Sequence, residues 1–299
     1  MSARQRVKVS VIIPVYNGAS FIEKTIQSVL SQTFQRYEIL IVNDCSTDST
    51  INVLEKYKIK ENIKIITNDN NLGQAASINI GIKESIGEYI AHLDADDLML
   101  SNRLDSQVKY LDKYHNLGLV HSEVFYKDKT GSSGKVKRNR DQLKGIKLSP
   151  IKSLLIVNTV IRSTMMHRRS CIEEIGFFDQ EITGSDEYDF SLRIAEKFEI
   201  KRIKARLGIK VHHGDNISVT RSRGEIYYLK THVQIIKKSI GRGRDSYPMK
   251  ILLLSKKLRL FLSDNFFDNV LGFKIINRLF YLFDWTLYPI LPNYRLTTV

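Results

Sequence analysis

The sequence contains little cysteine, proline or tryptophan, and it lacks a long apolar run. Among 299 residues there are two cysteines, five prolines and one tryptophan. Cys45 and Cys171 are too few for a disulfide scaffold or a CxxC metal site, and they favour a reducing compartment. No window of 18 residues is free of charge, and Pro14 interrupts the first apolar run. We therefore expect neither a transmembrane helix nor a signal peptide.

Positive charge is concentrated in the last quarter of the chain. The formal net charge is +14, and residues 221–299 hold 14 basic and 5 acidic side chains, a net +9. A basic surface suits an anionic partner such as nucleic acid, a phosphorylated substrate or an anionic membrane, without choosing among them. We divide the chain into residues 1–220 and a basic, aromatic-rich helical extension over residues 221–299.

Apolar runs alternate with helical patterns over the first 120 residues. The runs lie at 7–15, 39–42, 63–66 and 89–93, and the helical patterns at 22–33, 51–57 and 73–86. This alternation predicts βαβ units and an α/β fold with a mostly parallel sheet flanked by helices. Further strands are predicted at 160–167 and 209–213, and a helix at 186–198. Ligands of such folds bind outside the carboxyl ends of the strands.

An acidic group follows the fourth predicted strand. Asp94 and Asp96 flank one residue, and Asp97 comes next. Carboxylates at a strand end can share Mg²⁺ or Mn²⁺, which keeps open positions for substrate phosphates. The alternative is a solvated acidic turn that caps the helix near Arg103.

Two other strand ends carry candidate ligand contacts. Asp44 ends the second strand and could accept a hydrogen bond from a base imide or a ribose hydroxyl; alternatively it caps a helix. Pro14, Val15, Tyr16 and Asn17 leave the first strand. There the proline fixes φ, Tyr16 offers a stacking face and Asn17 offers a donor and an acceptor. A plain βα turn explains the same four residues.

Two later clusters could also take part in chemistry. Asp186 and Glu187 open a helix, where a carboxylate could act as a general base on an acceptor hydroxyl. Complementarity to the helix dipole is the alternative. His212 and His213 end a predicted strand and could contact a diphosphate or a metal. Adjacent strand residues point to opposite faces, so one of the two histidines would lie elsewhere.

Five segments together resemble glycosyltransferase family 2, the inverting enzymes of the GT-A fold. They read VSVIIPVYNGASFIEKTIQSVLSQTF, YEILIVNDCSTDST, NNLGQAASINIGI, GEYIAHLDADDLML and GSDEYDFSLRIA, in the family's order over roughly residues 7–220. The type found in bacterial surface-polysaccharide assembly is the nearest likeness. The resemblance implies a Rossmann-like GT-A domain, a nucleotide-diphosphate-sugar donor with UDP-sugar favoured, and Mg²⁺ or Mn²⁺ as cofactor.

The resemblance also assigns roles to residues. Pro14, Val15, Tyr16, Asn17, Asp44 and Asp94 would hold the nucleotide, Asp96 with Asp94 would hold the metal, and His212 or His213 could contact the diphosphate. The family often has Glu-Asp where this chain has Asp186-Glu187. Counting back from Arg193 places Glu187 at the base position, with Asp186 as its rival. Ile78 departs from the arginine of many relatives.

The extension and the overall charge leave other functions open. Basic and aromatic residues at 250–292 suit a membrane interface, which would fit a lipid-linked or glycan acceptor and a cytoplasmic protein at the inner face of the membrane. The alternative is packing on the protein.

A non-catalytic basic binding module would gain nothing from clustered carboxylates, and we expect no nucleic-acid partner. A sugar nucleotidyltransferase would need a basic, glycine-rich loop after the first strand, and residues 14–18 contain no basic residue.

Overall fold

Strands and helices alternate along the part of the chain that the structure describes. A computed structural model describes residues 7–128, 154, 158–182, 184–212, 221–241 and 256–257. The strands are β1 (Val9–Val15), β2 (Tyr37–Asn43), β3 (Ile63–Thr67), β4 (Tyr89–His92), β5 (Leu98–Met99), β6 (Leu117–Asp128), β7 (Met166–Arg168) and β8 (Glu199–His212). The helices are α1 (Ile22–Leu30), α2 (Thr50–Glu55), α3 (Gln74–Glu84), α4 (Arg103–Lys113), α5 (Cys171–Ile175), α6 (Asp186–Lys197) and α7 (Arg221–Gly241).

The strands form one sheet in the order β3-β2-β1-β4-β7-β6-β8-β5. The first four strands of that order are parallel, as the βαβ pattern predicts. Val15 at the end of β1 pairs with Asn43 at the end of β2, and β4 runs beside β1 on its other side. The segments that follow β1, β2 and β4 therefore leave the sheet at one edge.

The parallel strands β1, β2 and β4 are buried on both faces, which explains their largely apolar sequences, whereas β3 at the edge is partly exposed. Alternate residues of β1 enter two different cores. Val11 and Ile13 belong to the core cluster that includes residues of α1 and α4, and Ile12 belongs to the cluster with residues of α3 and α6. This two-sided burial fixes the sheet and the edge at which its polar loops gather.

The second half of the sheet differs from the simple alternation. β7 is antiparallel to both β4 and β6, while β6 and β8 run parallel. The strand predicted at 160–167 is instead a 3₁₀ turn, Arg162–Thr164, followed by the short β7. The N–H and the hydroxyl of Thr164 both donate to the carbonyl of Ile161, each at 2.9 Å, so this side chain stabilises a turn where its β-propensity predicts a strand.

The last described helix packs against the α/β core. Ile235 and Ile236 of α7 belong to the same apolar cluster as residues of α3 and α6, and Lys238 pairs with Asp179 at 2.6 Å. The division at residue 220 stays a prediction. No helix within the described ranges combines the length and apolar character needed to cross a membrane.

A pair of histidines is buried beneath the sheet edge. His92 Nε2 and His167 Nε2 lie 3.1 Å apart, and His167 Nδ1 lies 2.8 Å from the carbonyl of Arg168. The carbonyl can only accept, so His167 carries its proton on Nδ1 and accepts from His92 through Nε2. Burial lowers the pKa of His167 to about 4 and that of His92 well below its usual value. Both rings are therefore neutral in the native protein.

This neutral pair is expected to make the fold acid-sensitive. In the unfolded chain His167 takes up a proton near pH 6.5, whereas in the native chain it does so only near pH 4, so unfolding is favoured as pH falls between these values. We expect His167→Gln to remove ~2 kcal/mol of the pH dependence of unfolding between pH 7 and pH 5. Urea unfolding at both pH values measures it. His115→Gln, on the surface, is the control, and equal pH dependence in wild type and His167→Gln would refute the role of the pair.

Candidate active site

The acidic group predicted from the sequence lies just beyond β4, at the edge where the parallel strands end. Asp94, Asp96 and Asp97 each offer a carboxylate oxygen within 4.8 Å of the others. Asp97 is buried and has its own donors: Ser163 Oγ and the N–H of Val211 bond to its carboxylate. Asp94 and Asp96 are partly exposed. Asp94 and Asp96 are therefore accessible to a ligand, while Asp97 links the cluster to β8 through Val211.

Two cations lie inside the acidic cluster. Lys210 Nζ is 3.2 Å from Asp97 and 3.7 Å from Asp94, and Arg162 Nε is 3.6 Å from Asp94. Burial acts to raise the pKa of Asp94, but Arg162 and Lys210 outweigh it and hold the pKa below its usual value. Burial raises the pKa of Asp97 to about 6, against the opposing effect of Lys210. Asp94, which lies within 3.7 Å of both cations, thus stays ionised.

The donor set fits a hard divalent cation. Carboxylate oxygens are the ligands that Mg²⁺ and Mn²⁺ prefer. Five carboxylates gather around this point, namely Asp94, Asp96, Asp97, Asp186 and Glu187, against three cations, namely Arg162, Lys210 and the buried Arg103 that interacts with Asp94 and Asp97. With all of these groups ionised, the carboxylates exceed the cations by two negative charges. The distances of 3.6 Å and 3.7 Å from Asp94 to Arg162 and Lys210 are long, so neither cation saturates its oxygens.

Asp186 and Glu187 reach the same place from the other half of the fold. They occupy the first turn of α6, where the helix N-terminus favours negative charge. The carboxylate of Asp186 pairs with both Nη atoms of Arg162, each at 3.2 Å, and that of Glu187 accepts from Nη2 at 3.3 Å. Asn158 donates to the other oxygen of Glu187 at 2.8 Å. The structure therefore brings the base candidates and Asp94 together around one guanidinium.

Glu187 has the environment of a proton acceptor near neutral pH. Burial raises its pKa to about 7; Arg162 opposes the rise and Asp186 adds to it. The side chain of Glu187 is 14% exposed to solvent, whereas that of Asp186 is 2% exposed. A base with a pKa near the working pH is well placed to take a proton from a hydroxyl.

Asp44 is buried at the end of β2 and stabilises the start of α3. Its Oδ1 accepts from Asn68 and from the N–H of Leu72, and its Oδ2 accepts from the N–H of Gly73, all at 2.8 Å. A carboxylate has about four acceptor positions, so about one remains for a ligand. The next residue, Gln74, donates to Asp94 at 3.2 Å. Asp44 and Asp94 are thus joined through consecutive residues and lie in one site.

The segment after β1 is held against the segment after β2. Pro14 and Val15 are the last residues of β1, and Asn17 has a positive φ of 51°. Its Oδ1 accepts from the N–H groups of Thr47 and Asp48 at 2.8 Å and 3.3 Å. Tyr16 is 49% exposed, with a ring face open to a ligand. Asn17 therefore has a structural role in addition to any ligand contact.

The remaining predicted residues are less defined. His212 is the last residue of β8, and His213 lies outside the described residues. Ile78, where many relatives have arginine, is fully buried. Sequence reasoning missed Arg162 and Lys210. For Lys210 the available signal was a basic residue between the apolar Ile209 and Val211, since such residues are rarely buried without a partner; Arg162, followed by Ser163, offered no such signal.

The chain is similar in sequence to known glycosyltransferases. A family model described as glycosyl transferase family 2 matches residues 10–176. A putative teichuronic acid biosynthesis glycosyltransferase, TuaG of Bacillus subtilis, is 40% identical over 104 residues, which are 34% of this chain and 41% of that protein. The chain spans about half the length of the first curated relatives it matches.

Solved structures share the fold. Mannosyltransferase PcManGT from Pyrobaculum calidifontis, in complex with GDP-Man and Mn²⁺, superposes with a TM-score of 0.65 at 19% identity, covering 97% of this chain and 77% of that one. S. aureus TarS 1–349 in complex with UDP-GlcNAc gives 0.60 at 18% identity, covering 96% and 93%. The predicted GT-A α/β fold is thereby confirmed.

Proposed function

We propose, because the chain belongs to glycosyl transferase family 2, that it moves a sugar from a nucleotide-diphosphate donor to a hydroxyl acceptor by metal-assisted, inverting displacement. One observation carries the proposal: Arg162 joins the acidic group after β4 to the acidic pair that opens α6. Such a site has carboxylates for a metal-bound diphosphate and a separate carboxylate for the acceptor. A basic binding module without catalysis would use neither.

The donor would lie along the edge formed by β2, β1 and β4. Tyr16 offers its exposed ring to the base, with Pro14, Val15 and Asn17 shaping the same segment, and Asp44 keeps about one acceptor position for a base or ribose donor. We favour a UDP-sugar. TarS holds UDP-GlcNAc and PcManGT holds GDP-Man, so the fold itself accommodates either base.

The cation would be held by Asp96, with Asp94 beside it. PcManGT contains Mn²⁺, and we propose Mg²⁺ or Mn²⁺ here. When bound, such an ion stabilises the negative charge that builds on the departing diphosphate. Lys210 and Arg162 balance part of the charge of Asp94 until the donor arrives. Either His212 or His213 is proposed as a further diphosphate contact.

Glu187 is the proposed general base. It takes the proton of the acceptor hydroxyl, whose oxygen forms a bond to the anomeric carbon. The bond from that carbon to the diphosphate oxygen breaks, and the nucleoside diphosphate leaves with the electron pair. Attack from the side opposite the leaving group inverts the configuration. Asp186 is the rival, but both of its oxygens bond to Arg162 and it is almost fully buried.

The acceptor is proposed to be a glycan or a lipid-linked sugar. TuaG is named as a putative glycosyltransferase of teichuronic acid biosynthesis, and residues 221–299 carry a net charge of +9. We propose that this extension brings the catalytic unit, residues 1–220, to an anionic membrane surface from the cytoplasmic side. Residues 242–255 and 258–299 of the extension lie outside the described residues.

Donor turnover with and without metal tests the proposal. We expect the protein to release nucleoside diphosphate from at least one of a panel of UDP-, GDP- and dTDP-sugars with Mn²⁺, using water as acceptor. EDTA should lower the rate by about 10²-fold or more, since a Lewis acid on the leaving group contributes several kcal/mol, and added Mn²⁺ should restore it. Release from none of the donors would refute the transferase proposal, and release unaffected by EDTA would refute the metal's role.

A further inference from the structure

Arg162 occupies a position that none of the assigned roles explains. Its guanidinium is largely buried and contacts three carboxylates from two separate parts of the chain. Nε lies 3.6 Å from Asp94 after β4, an ion-pair contact without a hydrogen bond, while the two Nη atoms donate to Asp186 and Glu187 at the start of α6. One rigid, planar group therefore sets the separation between the metal side and the base side of the site.

We infer that Arg162 is a positioning residue that holds the Glu187 carboxylate at a fixed distance and direction from Asp94, and so aligns the acceptor oxygen with the donor. The inference rests on the proposed function, in which Glu187 is the base and Asp94 lies beside the donor diphosphate. In-line displacement requires the two to be placed within a fraction of an ångström, because small misplacements of reacting groups are costly.

The backbone that carries Arg162 is itself fixed. Arg103, fully buried, donates to the carbonyls of His92 at 3.0 Å and Met165 at 3.1 Å, and also to the carbonyl of Ser163. The hydroxyl of Ser163 accepts from the N–H of Asp94 at 3.2 Å and donates to Asp97. The turn that presents Arg162 is therefore attached to the same segment that presents the metal carboxylates. Because its backbone is anchored in this way, the Arg162 guanidinium can hold the carboxylates on its two sides at a constant separation.

The contacts of Glu187 suit positioning better than neutralisation. Arg162 Nη2 donates to its Oε2 and Asn158 donates to its Oε1, so each carboxylate oxygen has a fixed donor and the carboxylate has a defined orientation. Its own backbone N–H also bonds to the carboxylate, so about one of its four acceptor positions stays open for the acceptor hydroxyl. Arg162 also opposes the rise in the pKa of Glu187 that burial causes, which keeps part of the population ionised.

Arginine is required here because of its shape. Its fork addresses several carboxylates at once, whereas lysine presents one compact charge and can reach fewer of them. We therefore expect Arg162→Met to lower kcat for nucleoside diphosphate release at least 10²-fold, and Arg162→Lys to give an intermediate kcat, at least tenfold below wild type and tenfold above Arg162→Met. The KM of the donor and the Kd of UDP with Mn²⁺ should stay within threefold in both variants.

Arg193→Met is the matched control, because Arg193 is a buried arginine that pairs with Asp189 on the same helix without touching the site. We expect it to lower the melting temperature and leave kcat unchanged. If Arg162→Met fails to fold, Arg162→Lys alone decides, with its kcat at least tenfold below wild type. A wild-type kcat in either Arg162 variant, or equal losses in kcat/KM and UDP affinity, overturns the inference. Failure of wild type to turn over any donor overturns the proposed function instead.

Discussion

Replacing Glu187 with glutamine is expected to lower sugar transfer by on the order of 10³-fold, the range in which general-base catalysis contributes. Glutamine has nearly the same shape and can still accept from Asn158, but it cannot take the proton of the acceptor hydroxyl. The nucleotide is held elsewhere in the proposed site, so the affinity for UDP with Mn²⁺ should stay within threefold. Steady-state rates and calorimetric titration of the same preparation measure both effects.

The pH dependence of the wild-type rate should report the same carboxylate. Burial raises the pKa of Glu187 to about 7, and the base works only when deprotonated. The rate should therefore rise with pH through about 7 and fall on the acid side by about tenfold per pH unit. Glu187→Gln should lose this acidic limb along with the activity.

Two further variants decide the assignment of the base. Glu181→Gln is the control, because Glu181 is exposed on the surface and pairs with Lys238; its rate should equal that of wild type. Asp186→Asn should disturb the bidentate contact with Arg162 and lower the rate less than Glu187→Gln does. A larger loss in Asp186→Asn, with Glu187→Gln near wild type, would make Asp186 the base.

Asp96→Asn should produce the other large effect, a fall of on the order of 10²- to 10³-fold in Mn²⁺-dependent donor turnover. Asp96 is partly exposed in the acidic group, whereas the carboxylate of Asp97 bonds to Ser163 and Val211. An amide is a weaker ligand for a hard cation than a carboxylate, and the charge on the leaving diphosphate would lose its counter-ion. The Kd of Mn²⁺ in the presence of UDP should rise in parallel.

Asp105→Asn is the control for this experiment, because the Asp105 carboxylate pairs with Lys109 one turn later on α4 and is 39% exposed. It should change neither the Mn²⁺ affinity nor the rate. Turnover by Asp96→Asn at the wild-type rate, with unchanged Mn²⁺ affinity, would exclude Asp96 as a metal ligand.

The parallel half of the fold could be predicted because its information is local. Runs such as residues 11–15 and 39–42 are apolar throughout, as expected of strands buried on both faces, and each is followed by turn-forming residues. Because ligands of such folds bind where parallel strands end, the sequence alone was enough to single out the acidic group after β4. The resemblance of five segments supplied the order of these pieces.

The antiparallel half was harder to predict because its order depends on contacts between distant residues. The segment from 160 to 167 reads as a strand by propensity, yet Thr164 turns back on Ile161 and Arg162 is drawn to acids that lie 68 residues before and 24 residues after it in sequence. Lys210 reads as a surface residue of a strand, but its partners are near residue 97. Pairings of this kind leave no periodic trace in the sequence.

The hydrogen bonds from Gly73 to Asp44 and from Gln74 to Asp94 have a consequence for how two ligands affect each other's binding. Because consecutive residues at the start of α3 bond to both carboxylates, we expect nucleobase binding at Asp44 and cation binding beside Asp94 to be thermodynamically linked. By reciprocity, a nucleotide that strengthens cation binding must itself be bound more tightly in the presence of the cation, by the same factor.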